Sequence, residues 1–341
     1  MIRAWPRLLW NQKTVLLILL TFLSLSAWVA FFFFPFELAE FRQRIELRWS
    51  GARSISIPVS SRFAAEGSQL KGFERNHCTG ALKKGQECVC VLLVHGSADR
   101  ALTWRKILSE PADTWDRPVR FVALDSPGSG DSWSPRHSIE YTARAQSDIL
   151  FQSLIEEISH SECRAWMVVG NSYGGWVTAW MAVDFKERVN KLVLVNAAGL
   201  TSQQADTERT RELLNGTVEG LQEFQKRAYF KPRPLEKRYW EKAAQNVKKL
   251  REEAIQRFPD LQVQLQSQER LDAHLSSIRA NSMVFWGKED RILLPMGGRE
   301  FVQRIPGATL REAPECGHLP QKECPKALIQ ALGEWIRYGG M

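Results

Sequence analysis

Residues 168–176, VVGNSYGGW, join an apolar, β-branched run to a segment with helical spacing, and Gly170-Asn171-Ser172-Tyr173-Gly174 within them satisfies the pattern G-x-S-x-G. A serine hydroxyl is a weak nucleophile. It has to stand on a tight turn within reach of a base, and small residues two before and two after it let strand and helix close around that turn. The helix that follows aims its free amides and positive dipole end at the hydroxyl. The five-residue match alone occurs by chance. The preceding strand, a further glycine at Gly175 and suitable partners downstream make Ser172 a candidate nucleophile rather than a structural turn residue.

The partners lie where this chain order requires them. His318, in the loop segment PECGHLPQ, follows the last strand-like run and is the candidate general base. His77, His95, His137, His160 and His274 lie earlier, in loops, at a helix end or in an insertion, and read as structural or solvated. The acid that orients the base belongs at a strand end between them: Asp290 in VFWGKEDRILLP fits, with Glu289 as its neighbour and competitor. The alternative place for the acid, after the sixth core strand, holds the neutral Asn196, which strengthens Asp290. A tetrahedral intermediate needs fixed donors for its oxyanion, each worth about 3 kcal/mol. The backbone amides of Tyr173 and of Ser97, in LLVHGSAD, are the candidates, with His95 and Gly96 shaping the turn beside the pocket. DSPGSGDS, residues 125–132, reads as a shaped loop without catalytic chemistry of its own.

Around this centre, strand-like runs recur at Val89 to Val94, Arg120 to Leu124, Met167 to Val169, Lys191 to Val195, Met283 to Trp286 and Thr309 to Arg311. Helical patterns at Ile139 to Ser159, Gly174 to Phe185, Gly297 to Arg304 and Pro325 to Tyr338 fill most gaps. Such alternation predicts an α/β fold, a mainly parallel sheet with helices on both faces. Between about 200 and 280 the rhythm breaks into charged, helix-favouring sequence without a strand, which reads as a helical cap over the carboxyl ends of the strands.

The amino-terminal end is of another kind. No charge interrupts Val15 to Phe36, which is long enough to span a bilayer, and the basic residues Arg3, Arg7 and Lys13 precede it. A cleavable signal needs a shorter apolar core and small residues before the cut, so one uncleaved transmembrane helix is expected within residues 1–40. A charged and aromatic linker over 41–53 at the membrane surface and a hydrolytic domain over 54–341 are expected to follow. Basic residues on the two flanks nearly balance, so the positive-inside rule leaves the side open. A bacterial inner membrane with the domain facing the periplasm is the expected location. Cys316 and Cys324 are near enough to pair and Cys78 can meet Cys88 or Cys90, while reduced, buried thiols are the alternative. Asn215-Gly216-Thr217 fits a glycosylation acceptor, a pattern common by chance.

Hydrophobic residues make up 44% of the 341 and charged residues 25%, enough for a large core and against disorder. The net charge of +8 comes from basic residues interleaved with acidic ones, and no zinc-finger, RNA-binding or basic-zipper pattern occurs, so nucleic acid is not an expected partner. A basic cluster with aromatics in the cap (Lys226, Arg227, Lys231, Arg233, Lys237, Arg238) is either a solvated helix face or a contact for anionic headgroups.

HGS at 95–97, DSPGSGDS, GNSYGG at 170–175, WGKEDRILLP at 286–295 and PECGHLPQ at 314–321 together resemble the α/β-hydrolase superfamily over roughly residues 85–338. Within it, the set is similar to meta-cleavage-product C–C hydrolases and to membrane-anchored monoacylglycerol lipase-like esterases, both of which carry helical caps. The resemblance implies a Ser172, Asp290 and His318 triad, oxyanion amides at Ser97 and Tyr173, and neither metal nor organic cofactor. Epoxide hydrolases and haloalkane dehalogenases need an aspartate at position 172. Tyr173 stands where the C–C hydrolases usually carry Met, and those enzymes lack an anchor, so ester hydrolysis of a hydrophobic or lipid-like substrate is the expectation. Cleavage of a C–C or amide bond on the same triad, and a non-catalytic binding protein on the same fold, are the alternatives.

Overall fold

The computed structural model describes residues 35–64, 66–82, 87–159 and 162–338. Eight strands form one sheet: β1 (Arg53–Pro58), β2 (Gln69–Asn76), β3 (Val89–Val94), β4 (Val119–Leu124), β5 (Trp166–Asn171), β6 (Val189–Val195), β7 (Asn281–Gly287) and β8 (Thr309–Ala313). Their spatial order is β1-β2-β4-β3-β5-β6-β7-β8. The pairs β1/β2 and β2/β4 are antiparallel and all later pairs parallel. The helices used below are α1 (Pro35–Trp49), α2 (Ala143–Glu157), α3 (Tyr173–Asp184), α4 (Gln204–Leu213), α5 (Val218–Ala228), α6 (Lys237–Arg257), α7 (Leu261–Ser267), α8 (Met296–Arg304) and α9 (Pro325–Tyr338).

The inner strands β3 to β7 are largely apolar on both faces because both are covered, whereas the edge strand β8 is partly exposed. Cys90, Leu92 and Val94 of β3 join Val168, Leu192 and Val284 in a core closed by Leu150 and Leu154 of α2, Trp180 of α3 and Phe301 of α8. The alternate residues Val91 and Leu93 join Val169, Val193 and Phe285 in a second core, against Trp104, Ile107, and Leu328, Leu332 and Ile336 of α9. The period of two along a strand assigns neighbours to opposite cores. All six expected strands are present; β3 has the expected bounds and the other five are somewhat longer.

The antiparallel hairpin β1–β2 was not foreseen. Its sequences, RSISIP and QLKGFERN, lack an apolar run because β1 is largely exposed and β2 carries charge into the sheet. Glu74 is buried there between the guanidinium groups of Arg53 and Arg120, at 2.5 Å from each. The expected linker also differs, since its first part is helical, α1 running to Trp49. The described residues fall into two compact units, 35–46 and the remainder from Leu47 onward. No helix among the described residues is long and apolar enough to cross a membrane. The expected transmembrane span, Val15 to Phe36, lies outside the described residues except for the backbone of its last two positions.

Residues 196–280 form the expected cap, with α4 to α7 inserted between β6 and β7. The basic cluster in it is mostly matched by carboxylates. Arg227 pairs with Glu223, Lys231 with Glu315, Lys237 with Glu241 and Arg238 with Glu236, which favours a solvated face. Asn215 accepts hydrogen bonds from Thr217, whose hydroxyl in turn caps α5 through the Gly220 amide, giving this triplet a local structural use. The six cysteines form three disulfides, Cys78–Cys88, Cys90–Cys163 and Cys316–Cys324. The pairing of Cys90 with Cys163, far apart in sequence, was not anticipated.

Candidate active site

Ser172 follows β5 and caps α3 with φ 54° and ψ −120°, a left-handed conformation that costs a side-chain-bearing residue about 1–3 kcal/mol. Its neighbours make the turn possible. A side chain at Gly170 would strike the Gly174 carbonyl, and one at Gly174 the carbonyls of Val94 and His95 at the end of β3. The turn is held by Ser172 N–H donating to Val195 O at 3.0 Å, and by the amides of Gly175 and Ala198 donating to Ser172 O. Two ends of the central sheet thus fix the serine.

His318 lies in the loop after β8, buried, with Nδ1 2.8 Å from Asp290 Oδ2. Asp290, also buried, follows β7 and accepts from the backbone amides of Ile292 and Leu293 on Oδ1 and from Asn196 Nδ2 on Oδ2, at 2.8, 3.0 and 2.6 Å. A carboxylate ringed by N–H donors faces the imidazole with a lone pair, so Nδ1 carries the ring proton and Nε2 keeps its own lone pair. Glu289, the competing acid, instead accepts from the backbone amide of Cys316 at 2.9 Å and braces the His318 loop.

Three hydrogen bonds hold that loop. His318 N–H donates to Ala228 O at the end of α5, Asn171 Nδ2 donates to His318 O at 3.1 Å, and Gln321 Nε2 reaches Asn171 Oδ1 at 3.0 Å. The Cys316–Cys324 disulfide brackets the same segment. Asn171 and Asn196 were not singled out in sequence for these roles. Asn196 was read only as the absence of an acid, yet its amide bridges Asp290 and the Gly287 N–H.

The expected oxyanion loop abuts the serine: a Cβ on Gly96 would stand 3.2 Å from Ser172 Cβ. Ser97 and Tyr173 both border the cavity there. His95 is buried, accepts from the Ser126 amide on Nε2 at 2.9 Å and donates from Nδ1 to Gly96 O, which leaves it no nitrogen for proton transfer. Burial holds its basicity below that of a free imidazole. The 125–132 loop is organised by Asp125, which accepts from the amides of Ala101 and Asp131. Tyr173 sends its hydroxyl to Tyr141 O, and burial raises its pKa. His274 pairs with Glu269 near the surface, His137 caps an exposed turn with its backbone amide donating to Glu140, His77 lies away from this centre, and His160 is outside the described residues.

Ser172 and His318 open into one cavity of about 550 Å³ between the strand ends and the cap. Its wall is mostly apolar, with Trp176, Leu214, Phe224, Ile255, Phe258, Leu265 and Leu293. No group of His, Cys, Asp and Glu side chains among the described residues is arranged to hold a metal ion.

A strained serine at a strand-to-helix turn, a late histidine paired with a carboxylate and a capped sheet in this strand order agree with the family model that matches residues 91–331, that of the alpha/beta hydrolase family. The chain belongs to the alpha/beta hydrolase family. Among its relatives is a 2-hydroxy-6-oxononadienedioate/2-hydroxy-6-oxononatrienedioate hydrolase of Escherichia coli, 25% identical over 258 residues, which are 73% of this chain and 87% of that one. The solved structure of a membrane phospholipase A, a bacterial virulence factor, superposes with a TM-score of 0.71 over 96% of this hydrolase and 100% of its own chain, at 23% identity. Naproxen esterase from Bacillus subtilis does so with a TM-score of 0.64, over 86% and 96%, at 16% identity. At those identities the two structures speak for the fold alone. The anticipated resemblance to this superfamily is met, and the chain is a hydrolase of that family.

Proposed function

We propose that this hydrolase cleaves a carboxylic ester, hydrophobic or lipid-like in its main part, through an acyl-enzyme formed on Ser172. The observation that carries the reading is the placement of Ser172 and His318 on one apolar cavity, with His318 Nδ1 committed to Asp290. His318 Nε2 takes the serine proton as Oγ attacks the ester carbonyl. The amides of Ser97 and Tyr173 receive the developing oxyanion, and the imidazolium returns the proton to the departing alkoxide. Water then enters, loses a proton to the same nitrogen and releases the acid. No step calls for a metal or cofactor.

The apolar, 22-residue span before the described part supports attachment of the domain to a membrane by one amino-terminal helix, and the three disulfides support an oxidising compartment, the periplasmic side of a bacterial inner membrane in our reading. A C–C hydrolase on the same residues is the second reading, favoured by the Escherichia coli relative.

Labelling by a fluorophosphonate and turnover of p-nitrophenyl esters of increasing chain length, each lost in Ser172→Ala, are the expected results. A folded protein that shows neither label nor turnover overturns the reading. Rapid cleavage of a vinylogous 1,5-diketone beside negligible ester turnover selects the C–C alternative.

A further inference from the structure

The mostly apolar cavity has an unusual charge at its cap end. Arg211 on α4, Arg251 on α6 and Arg270 after α7 all line it, and none of the three makes an ion pair among the described residues. Other cap cations differ: Lys248 and Lys249 of α6 face Glu252 and Glu253, and Arg227 holds Glu223. The two carboxylates that act on Arg270, Asp272 and Glu208, are engaged elsewhere. Asp272 accepts from the amide and hydroxyl of Thr201 and lies beside Arg304, and Glu208 accepts from Gln204.

Arg270 is held in place without being satisfied. Its guanidinium lies 4.7 Å from the ring centroid of Trp176, while its Nη1 is buried with no hydrogen-bond partner. Partial burial lowers its pKa; Asp272 opposes this, Arg211 adds a smaller push in the direction of burial, and Glu208 opposes it least. A guanidinium kept half out of water with an idle donor is costly by itself, and an oxyanion offers the planar, bidentate partner that removes the cost. The position is also defined. Trp176 lies one turn of α3, about 5.4 Å along the axis, beyond Ser172, and the Leu271 amide next to Arg270 is pinned to Gly199 O beside β6.

We propose that the cap end of this cavity is an anion subsite, in which Arg270, with Arg211 and Arg251, holds a carboxylate or phosphate group of the ligand while its alkyl part fills the apolar remainder. Identifying that ligand as an ester with its charge a few bonds from the scissile carbonyl rests on the hydrolase reading above. Anion binding itself does not. The substrate class is then a charged amphiphile, such as a phosphate-bearing lipid or a dicarboxylic half-ester, in place of a neutral glyceride.

Binding of octyl phosphate, octanoate and 1-octanol, below their aggregation limits and at low salt, separates the outcomes. Calorimetry and the tryptophan fluorescence of the full chain read it without turnover. At least one of the two anions is expected to bind about tenfold tighter than the alcohol, a margin of the size one charge-assisted contact supplies. That margin is expected to shrink with added salt and to be lost in Arg270→Gln and in Arg211→Gln, with Arg270→Lys restoring part of it. Preference for octyl phosphate alone assigns a phosphate group, and preference for octanoate alone a carboxylate. Equal binding of all three ligands, or discrimination that survives both glutamine variants, overturns the subsite. The Ser172→Ala turnover assay reports separately on the hydrolase reading.

Discussion

At the scale of single residues, the candidate site is a chain of contacts running from His318 to Asp290 and on to Asn196, with Ser172 on the same cavity as His318. Replacing Asp290 by Asn keeps the shape but presents an amide N–H to His318 Nδ1, so the imidazole must turn its lone pair inward and its proton toward the serine. A fall in kcat of roughly 10⁴-fold is expected, as for such changes in related triads. Asn196→Ala removes one of the Asp290 donors while leaving two amides in place. The loss of one hydrogen bond to a charged group predicts a fall in kcat of roughly tenfold with KM little altered. Steady-state kinetics on a p-nitrophenyl ester check both, and wild-type kcat in Asn196→Ala would show that the asparagine merely packs. The places of Ser172 on a strand-to-helix turn and of Asp290 and His318 in later loops were legible because strand, turn and chain order confine such positions. Asn196 and Asn171 were not, since an amide that positions another group leaves no pattern in one sequence. Arg270 was equally silent, because only the folded cavity shows that it lacks a partner.

At the scale of elements, the parallel strands and their helices could be read from apolar runs and periodicity, and the cap from charged, helix-favouring sequence without a strand. The hairpin β1–β2 escaped because its stability comes from pairing and the buried Glu74 with its two arginines, which an edge of mixed polarity does not advertise. Disulfide connectivity was only half legible, as spacing favours near neighbours and says nothing of Cys90 meeting Cys163 across the fold. The Cys316–Cys324 loop is the element that carries His318, the proposed base. Closing a loop of this size stabilises by roughly 2–3 kcal/mol in the chain-entropy account, and the 73-residue separation of Cys90 and Cys163 by about 4 kcal/mol. Cys316→Ser/Cys324→Ser is therefore expected to lower Tm by a few degrees and to lower kcat more than its modest stability cost implies, because His318 is carried between the two sulfurs. Cys90→Ser/Cys163→Ser should do the reverse, with the larger loss of Tm and nearly unchanged kcat in the cold. Scanning calorimetry and kinetics on the two double variants decide it, and equal effects on kcat would remove the special role of the loop.

At the scale of the whole hydrolase domain, buried ionisable groups set how its stability responds to pH. His95 must stay neutral to accept the Ser126 amide, and burial lowers its pKa from the usual 6.5. The unfolded chain therefore binds a proton that the folded chain refuses, so stability falls as pH drops from about 6.5 toward the folded value. His77, lowered by burial and by Arg75, adds to the same slope. Asp99 behaves as the second stage. Lys322, 2.7 Å away, outweighs its burial and holds its pKa below 3.8, so its contribution is intact above that value and is lost as pH falls through the folded one. Lys322 itself is raised above 10.5 by Asp99 despite its burial, so the pair holds from about pH 4 to beyond 10, and alkali removes its part only as pH passes the raised value. The positive net charge of +8 grows as carboxylates protonate and steepens the acid limb through self-repulsion. A Tm profile flat near neutrality, declining as pH drops below about 6.5 and declining further below about 4, is expected. His95→Gln keeps a side-chain acceptor for the Ser126 amide without a titrating group, and it should flatten the first decline while sparing the second. If the upper decline is the same in His95→Gln as in wild type, that stage belongs to other groups, and the buried imidazole is not what limits this fold in mild acid.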